Sequence, residues 1–176
     1  MRRSAVGLKV GLAIGAVLLV GACGGSGGGG ADNPGVGGGS RTINGKVVEA
    51  GADLAGVNLA GADLSGLYLV GVNLAGADLT GANLSGADLS GANFLDANLY
   101  QANLSGANLN IANLHRADLV DADMSRADLP DADLSGTFLL NTNFREAILT
   151  GADLSRSNRT TADFTGATMP DGTKYP

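Results

Sequence analysis

Residues 52–56 read Ala-Asp-Leu-Ala-Gly and residues 62–66 read Ala-Asp-Leu-Ser-Gly, and this five-residue pattern continues for more than 100 residues. Stepping by five from Leu54 to Met169 gives 24 central positions, of which 18 are Leu, three are Phe, two are Met and one is Arg159. Two residues before the centre, 18 of the 24 residues are Ala, and one residue before it, 20 are Asp or Asn. Because so many units agree, the repeat must set the fold.

A period of five fits neither an α-helix nor a single straight strand. On a helix, each Leu would be rotated by about 140° from the previous one, so no apolar stripe would form. On a strand, an odd period would send successive leucines to opposite faces. A chain that turns a corner within every unit gathers all the leucines into one core, and the Asp, Asn, Gly, Ser and Thr residues around each Leu favour such turns.

The pattern Ala-(Asp/Asn)-Leu-x-x resembles the pentapeptide-repeat family, and the resemblance covers residues 52–171. It implies an all-β solenoid, a right-handed quadrilateral parallel β-helix with four units in each coil. The central Leu and the Ala two residues before it would point inward, and the other three positions would face solvent. The 24 units would then make six coils, a rod about 25–30 Å long, in which each residue stacks on the residue 20 positions later.

The two ends of this solenoid need cover, because an open coil end exposes unpaired backbone. Residues 41–51 include Ile43, Val47 and Val48, and we expect them to form an N-terminal cap. At the other end, two prolines and a turn signal are expected to stop the coil, which leaves residues 172–176 as a C-terminal tail.

Residues 1–22 resemble an export signal peptide. A basic start precedes an apolar run at residues 10–20, which is short of the about 20 residues that a membrane-spanning helix needs. The sequence Val-Gly-Ala-Cys at residues 20–23 resembles a bacterial lipobox, which predicts that Cys23 is lipidated and becomes the mature N-terminus. The alternative is an ordinary secretory signal with an incidental cysteine. The Arg2-Arg3 start loosely resembles a twin-arginine signal, so the export route stays open.

Residues 23–40 are predicted to be a disordered, flexible tether. Ten of the sixteen residues from Gly24 to Gly39 are glycine. The remaining residues cannot bury enough surface to offset the conformational entropy lost when the backbone is ordered. A glycine-rich structural loop would need folded elements on both sides, and only one side has any. The chain is therefore expected at the extracytoplasmic face of a bacterial cell membrane, attached by the lipid on Cys23.

The composition excludes several classes of function. The 29 glycines, the 4% aromatic content and the absence of tryptophan exclude a core built around large rings. Without the three basic residues of the leader, the mature chain has 8 basic and 17 acidic residues, a net charge of −9 that argues against binding a nucleic-acid backbone. The single cysteine excludes an internal disulfide, and the single histidine leaves little for metal or acid–base chemistry. We therefore expect no cofactor, no metal and no enzymatic activity.

Stacking at 20 residues predicts one outward row of apolar side chains. Tyr100, Val120 and Leu140 share an outward position in three successive coils, and Phe138 lies two residues from Leu140 on the same side. These four residues, called here the apolar ladder, are a candidate surface for a protein partner or for self-association. The alternative is that they are isolated outward residues, which are normal on protein surfaces.

Three other features have structural explanations that we favour over functional ones. Six carboxylates of the fourth and fifth coils could hold a hard cation, but four of them occupy the repeat's own turn-forming position. His115 stacks on Ser135, with nothing to orient a catalytic triad. Arg159 falls at an inward position, where an unpaired guanidinium is costly. Either the last coils distort and Arg159 turns outward, which we favour, or a carboxylate reaches it. The six carboxylates belong to Asp118, Asp121, Asp123, Asp128, Asp131 and Asp133.

Three classes of function remain to be compared. An elongated repeat surface suits a rigid scaffold or a protein-interaction surface. One branch of the family resembles a DNA duplex in shape and charge and binds DNA gyrase, and the 15 acidic and five basic residues of 52–171 permit such mimicry. The export signal and the missing C-terminal helical module of that branch count against it. No set of residues supports an enzyme, and the sequence therefore predicts a non-enzymatic, lipid-anchored scaffold or interaction protein of the cell envelope.

Overall fold

A computed structural model describes residues 40–176, so the predicted signal peptide, Cys23 and nearly all of the predicted tether lie outside the described residues. The described chain begins with an antiparallel hairpin of two strands, β1 (Arg41–Ile43) and β2 (Lys46–Val48). Asn44 and Gly45 connect them with φ values of 50° and 75°, as a type I′ turn requires. After the hairpin, the backbone pairs through single-residue parallel bridges between residues 20 apart, from Asp53↔Asn73 to Ile148↔Thr168.

Each five-residue unit turns one corner of the solenoid and bonds to the next coil. In a typical unit, the Leu79 N–H donates to the Asn98 carbonyl at 2.7 Å and the Gly81 N–H donates to the Tyr100 carbonyl at 2.8 Å. The Ala82 N–H donates back to the Leu79 carbonyl at 2.9 Å, which closes a β-turn. Gly81 is the third residue of that turn and has a φ of 61°, as in a type II turn. The hydrogen bond that closes each corner therefore lies within one unit, and the hydrogen bonds that hold the coils together join units of successive coils.

The Asp or Asn of each unit stabilises the corner that follows it. The Thr80 N–H and hydroxyl both donate to Asp78 Oδ1, at 3.1 Å and 2.6 Å, and these bonds, the hydroxyl's first, lower the pKa of Asp78. At several of the Asn positions, the side-chain amide also donates to the preceding coil, as Asn93 Nδ2 does to Asn73 Oδ1 at 3.0 Å. The corner needs a short side chain with an acceptor oxygen at this position, which explains why the repeat uses Asp and Asn.

The core is a column of inward leucines walled by alanines. The central residues from Leu54 to Leu154 are buried, and most of them are fully inaccessible. Phe94 and Phe144 replace Leu without becoming exposed, and the Phe144 and Phe164 rings stack with centroids 5.0 Å apart. The inward and outward positions agree with those predicted from the repeat.

The N-terminal hairpin satisfies carbonyls that the first coil leaves open. The Arg41 guanidinium donates to the Asp63 carbonyl at 2.8 Å, and Asn44 Nδ2 donates to the Asn58 carbonyl at 3.1 Å. Val48 is buried against the core. Residues 41–48 thus cover the coil end within the segment predicted to be a cap.

The C-terminal tail folds back onto the last coil. The Met169 N–H donates to the Thr173 carbonyl at 2.7 Å and the Tyr175 N–H donates to the Ala167 carbonyl at 2.8 Å. The tail therefore pairs with one side of the coil end, where the sequence predicts that the coil stops. Throughout residues 40–176, no helix has the length and apolar character needed to cross a membrane.

The regular pattern breaks around Arg159, as expected from its inward position in the repeat. Arg159 is exposed, and no carboxylate of the described chain lies within ion-pair distance of its guanidinium. The Asn141 N–H bonds to Thr161 Oγ1 at 2.9 Å instead of to the carbonyl of Thr160. The last coil thus loses one backbone bond at this corner and keeps the guanidinium in water.

Candidate interaction surface

The apolar ladder lies along one corner of the rod. The Gln101 N–H donates to the Val120 carbonyl at 3.0 Å, and the Asp121 N–H donates to the Leu140 carbonyl at 2.9 Å, so Tyr100, Val120 and Leu140 follow one another in successive coils. Tyr100 and Leu140 are each 36% exposed, and Val120 is half-buried. The structure therefore brings these residues together on the surface, as the 20-residue stacking predicts.

Turn geometry explains why these side chains point outward. Each is the second residue of a type II turn, directly after an inward Leu, and the residue after it has a positive φ. That third position is occupied by Gln101, Asp121 and Asn141, with φ values of 56°, 58° and 56°. Gln101 also donates from Nε2 to the Tyr100 hydroxyl at 3.1 Å, which orients the ring.

Phe138 departs from the repeat at the position where Asp or Asn normally caps the corner. Asn98 Oδ1 accepts the Tyr100 N–H and Asp118 Oδ1 accepts the Val120 N–H, both at 3.0 Å. Phe138 has no oxygen to offer Leu140, and its side chain is 53% exposed instead of buried. A residue that gives up a local hydrogen bond without gaining burial is expected where a surface is used for contact.

Other exposed apolar residues are scattered. Tyr68 and Ile148 also replace Asp or Asn, and they are 49% and 42% exposed. They lie in one bridged row, but Asp88, Asn108 and Asp128 separate them. The apolar ladder is distinguished from them by contiguity over three coils.

Three carboxylates border the apolar ladder and have no cationic partner among residues 40–176. Asp118 lies two residues before Val120, and Asp121 and Asp123 follow it. Asn141 Nδ2 donates to Asp121 Oδ1, and Asn143 Nδ2 donates to Asp123 Oδ1, both at 2.9 Å. Sequence reasoning treated the ladder and these acids as separate features, although their adjacency in the chain is the signal that joins them.

Four of the six arginines in residues 40–176 form ion pairs at other places. The pairs join Arg41 to Asp63, Arg116 to Asp96, Arg126 to Glu146 and Arg145 to Asp163. The Arg126 guanidinium donates to Glu146 at 2.8 Å and thereby lowers the pKa of that carboxyl. All of these pairs are solvent-exposed, so each adds little stability, but together they neutralise carboxylates away from the apolar ladder.

The other candidate groups do not form a metal or catalytic site within residues 40–176. Among residues 40–176, no three His, Asp or Glu side chains are grouped so as to hold a metal ion. This includes the six clustered aspartates. His115 Nδ1 lies 2.7 Å from Ser135 Oγ, and that hydroxyl donates to Asp133 Oδ1. The proton of Ser135 therefore points to the carboxylate and His115 must donate, the reverse of the arrangement that activates a serine nucleophile.

Comparison with known families matches the model "Pentapeptide repeats (8 copies)" to residues 50–86, 58–96, 97–136 and 127–166. The chain belongs to the pentapeptide-repeat family. Proteins of this family form right-handed quadrilateral β-helices, and they are in general non-enzymatic structural or interaction proteins. The right-handed quadrilateral β-helix that the resemblance implies agrees with this membership.

Several solved structures of the family are similar to the chain. HetL, a pentapeptide-repeat protein involved in the regulation of heterocyst differentiation in the cyanobacterium Nostoc, is 30% identical over 70% of this chain and 78% of its own, with a TM-score of 0.28. A protein of the Arabidopsis thaliana thylakoid lumen is 29% identical over 69% and 70%, with a TM-score of 0.27. QnrB1, a plasmid-mediated fluoroquinolone resistance protein, is 20% identical over 67% and 70%, with a TM-score of 0.45. No curated protein sequence matches.

Proposed function

We propose that this protein is a non-enzymatic, lipid-anchored scaffold of the bacterial cell envelope, whose six-coil rod presents the apolar ladder to a protein partner. The observation that carries the proposal is Phe138. It breaks the repeat's Asp/Asn rule, leaves the Leu140 N–H without its usual cap, and is exposed two residues before Leu140, bridged to Asp118 of the coil that carries Val120.

The rod suits a scaffold because its backbone is bonded from coil to coil along its length. In the described chain, no buried side-chain oxygen or nitrogen lacks a hydrogen-bond partner. Where Thr137 and Thr142 replace the inward Ala, their hydroxyls donate to the Leu134 and Leu119 carbonyls at 2.7 Å. A surface held in this way keeps its shape when a partner binds, so little ordering free energy opposes binding.

The membrane attachment rests on the leader and on Cys23. An apolar run that ends in Val-Gly-Ala-Cys and precedes a glycine-rich tether is typical of a lipidated protein held away from a membrane. One acyl chain gives marginal binding, whereas more than one gives stable anchoring.

Mimicry of DNA toward gyrase is the alternative and is less favoured. It is supported by the excess of acidic over basic residues within 52–171. The predicted export signal would place the rod outside the cytoplasm, and a purely electrostatic mimic has no use for the apolar ladder.

Two experiments test the proposal. In the first, cells that produce the wild type or a Cys23→Ser variant of the full chain are fractionated. The mass of the N-terminal peptide of the wild type is measured by mass spectrometry. We expect a lipid-modified Cys23 in wild type, and an unprocessed or membrane-released variant. A Ser variant that fractionates and migrates like wild type would refute the anchor.

The second experiment tests the apolar ladder. Val120→Ser with Leu140→Ser should abolish self-association or recovery of a cross-linked partner, and change stability by less than about 1 kcal/mol, as for surface substitutions. The matched control is Tyr68→Ser with Ile148→Ser, which removes outward apolar side chains elsewhere and should leave association intact. Equal behaviour of the two double variants would contradict a role for the ladder.

A further inference from the structure

The apolar ladder crosses the most acidic coil of the rod. Residues 112–131 carry five aspartates and two arginines, whereas residues 72–91 carry two aspartates and no basic residue. Three of the five aspartates, Asp118, Asp121 and Asp123, are the ones that border Val120. Apolar and anionic groups are thus concentrated at the same place.

The two arginines of this coil do not neutralise those carboxylates. Arg116 Nε lies 3.0 Å from Asp96 Oδ1, a residue of the preceding coil, and Arg126 Nε lies 2.8 Å from Glu146 Oε2 in the following one. Both ion pairs are at corners other than the one that carries the ladder, since residues 96 and 116, and residues 126 and 146, stack at their own 20-residue spacing. The charge beside the ladder is therefore uncompensated within residues 40–176.

Neutral hydrogen bonds hold these carboxylates in fixed positions. Asp118 accepts the Val120 N–H at 3.0 Å, Asp121 accepts the Asn141 amide, and Asp123 accepts the Asn143 amide and the Ser125 N–H, all three at 2.9 Å. These donors orient the carboxylates and leave their full negative charge in place. A cation that approaches Val120 would meet negative groups on both sides without any rearrangement of the rod.

We propose that the apolar ladder, with Asp118, Asp121 and Asp123, docks a segment of another protein that carries Lys or Arg beside aliphatic side chains. The inference rests on the proposed function in one respect, that the ladder is a contact surface, and adds the chemistry of its partner. A second copy is disfavoured, because two rods with 15 acidic and five basic residues each over 52–171 would bring like charges together. An anionic lipid surface is disfavoured for the same reason.

The test uses a synthetic 14-residue peptide with a leucine face and a lysine face, labelled for fluorescence anisotropy. The protein is the full chain, in nanodiscs of zwitterionic lipid if it is membrane-bound, with empty nanodiscs as the blank. Two control peptides are used. In one, Glu replaces every Lys, which tests the charge requirement, and in the other, Ser replaces every Leu, which tests the apolar requirement. We expect binding of the first peptide, weakened by salt as expected for paired surface charges, and no binding of the two controls.

Two sets of variants locate the site. Asp118→Asn, Asp121→Asn and Asp123→Asn together should weaken binding at least about tenfold and flatten its salt dependence, and Val120→Ser with Leu140→Ser should weaken it similarly. The matched control, Asp53→Asn with Asp78→Asn and Asp88→Asn, removes the same charge elsewhere and should leave binding within about twofold. Asp118, Asp123 and the three control residues occupy the Asp/Asn position, where the repeat already uses Asn. Asp121 occupies a positive-φ position that Asn141 fills one coil later, so these variants retain their corners.

The outcomes separate this inference from the proposed function. Equal weakening by both Asp-to-Asn triples would mean attraction to the net charge alone, and would overturn the inference. So would binding of the Glu peptide or of anionic vesicles in place of the Lys peptide. If Val120→Ser with Leu140→Ser abolishes self-association in sedimentation while the Lys peptide never binds, the ladder remains a contact surface and the cationic partner is wrong. If neither association depends on the ladder, both proposals fail.

Discussion

Replacing Ile111 with glycine should stabilise the rod, because the backbone of Ile111 lies in the left-handed region. Its φ is 51°, at the turn position where Gly91 stands one coil earlier with a φ of 66°. For residues other than glycine this region costs roughly 1–2 kcal/mol, and β-branched side chains adopt it least readily. The change therefore removes a conformational cost from the folded state.

Two smaller effects oppose the gain. The Ile111 side chain is 62% exposed, and its Cδ1 lies 4.0 Å from the place that a Cβ would take on Gly91, so little packing is lost. Glycine also gives the unfolded chain more freedom, which costs roughly 0.5–1 kcal/mol. The free energy of unfolding should then rise by about 0.5–1 kcal/mol, which corresponds to a Tm increase of about 2–4 °C for a domain of this size.

Urea denaturation and calorimetry of the full chain measure this effect. Asn110→Gly is the matched control, because Asn110 precedes Ile111 in the same turn but has an ordinary φ, so only the entropic cost applies and Tm should fall. Ile111→Ala keeps the left-handed cost and should not reproduce the gain. A Tm for Ile111→Gly at or below that of wild type would show that the turn carries no such strain.

Three further predictions concern the repeat itself. Deleting residues 72–91, one whole coil, should leave a cooperative thermal transition, whereas deleting residues 82–86 shifts every later unit by a quarter turn and should abolish it. Gly151→Ala brings a Cβ against Asp131 Oδ1 at a φ of 74°, so it should destabilise by roughly 1–2 kcal/mol and by more than Gly81→Ala, where the Cβ has no neighbour within 4 Å. Acid should destabilise the rod, because carboxyl pKa values lowered in the folded state contribute stability that is complete at neutral pH and declines as the pH falls below about 4.5. Urea midpoints between pH 7 and 3 measure this, and replacing the aspartates among these groups with Asn should flatten the dependence, since Asn accepts the same N–H at every pH. A dependence that persists in that variant would contradict the cause. The groups are Asp63, Asp78, Glu146, Asp153, Asp163 and Asp171.

Much of the candidate surface follows from position in the repeat. Tyr100, Val120 and Leu140 differ by 20, so a four-sided coil places them in one row whatever their side chains are. Their exposure is also local, because the residue after each inward Leu is the second residue of a type II turn. The function of this row does not follow from its position, since the repeat also places the scattered residues Tyr68 and Ile148 outside, at the Asp/Asn position.

The sequence by itself determined which side chains face the core. The five-residue period with Asp or Asn before Leu acts within each unit. The side-chain oxygen hydrogen-bonds to the backbone of the next corner, and the corner turns the next Leu inward. The pattern fails at Arg159 for a reason that the sequence also contains, since a guanidinium cannot replace a buried Leu.

Only the tertiary structure decided which surface charges are neutralised. Arg116 pairs with Asp96 and Arg126 with Glu146, while Asp121 bonds to the neutral Asn141. These partners are 20 residues apart, and several outward groups of either sign lie in neighbouring coils. The choice among them depends on side-chain rotamers at the corners, which a five-residue pattern does not specify. The inward positions are set by the repeat within each unit, whereas the charge beside the apolar ladder is set by contacts between coils.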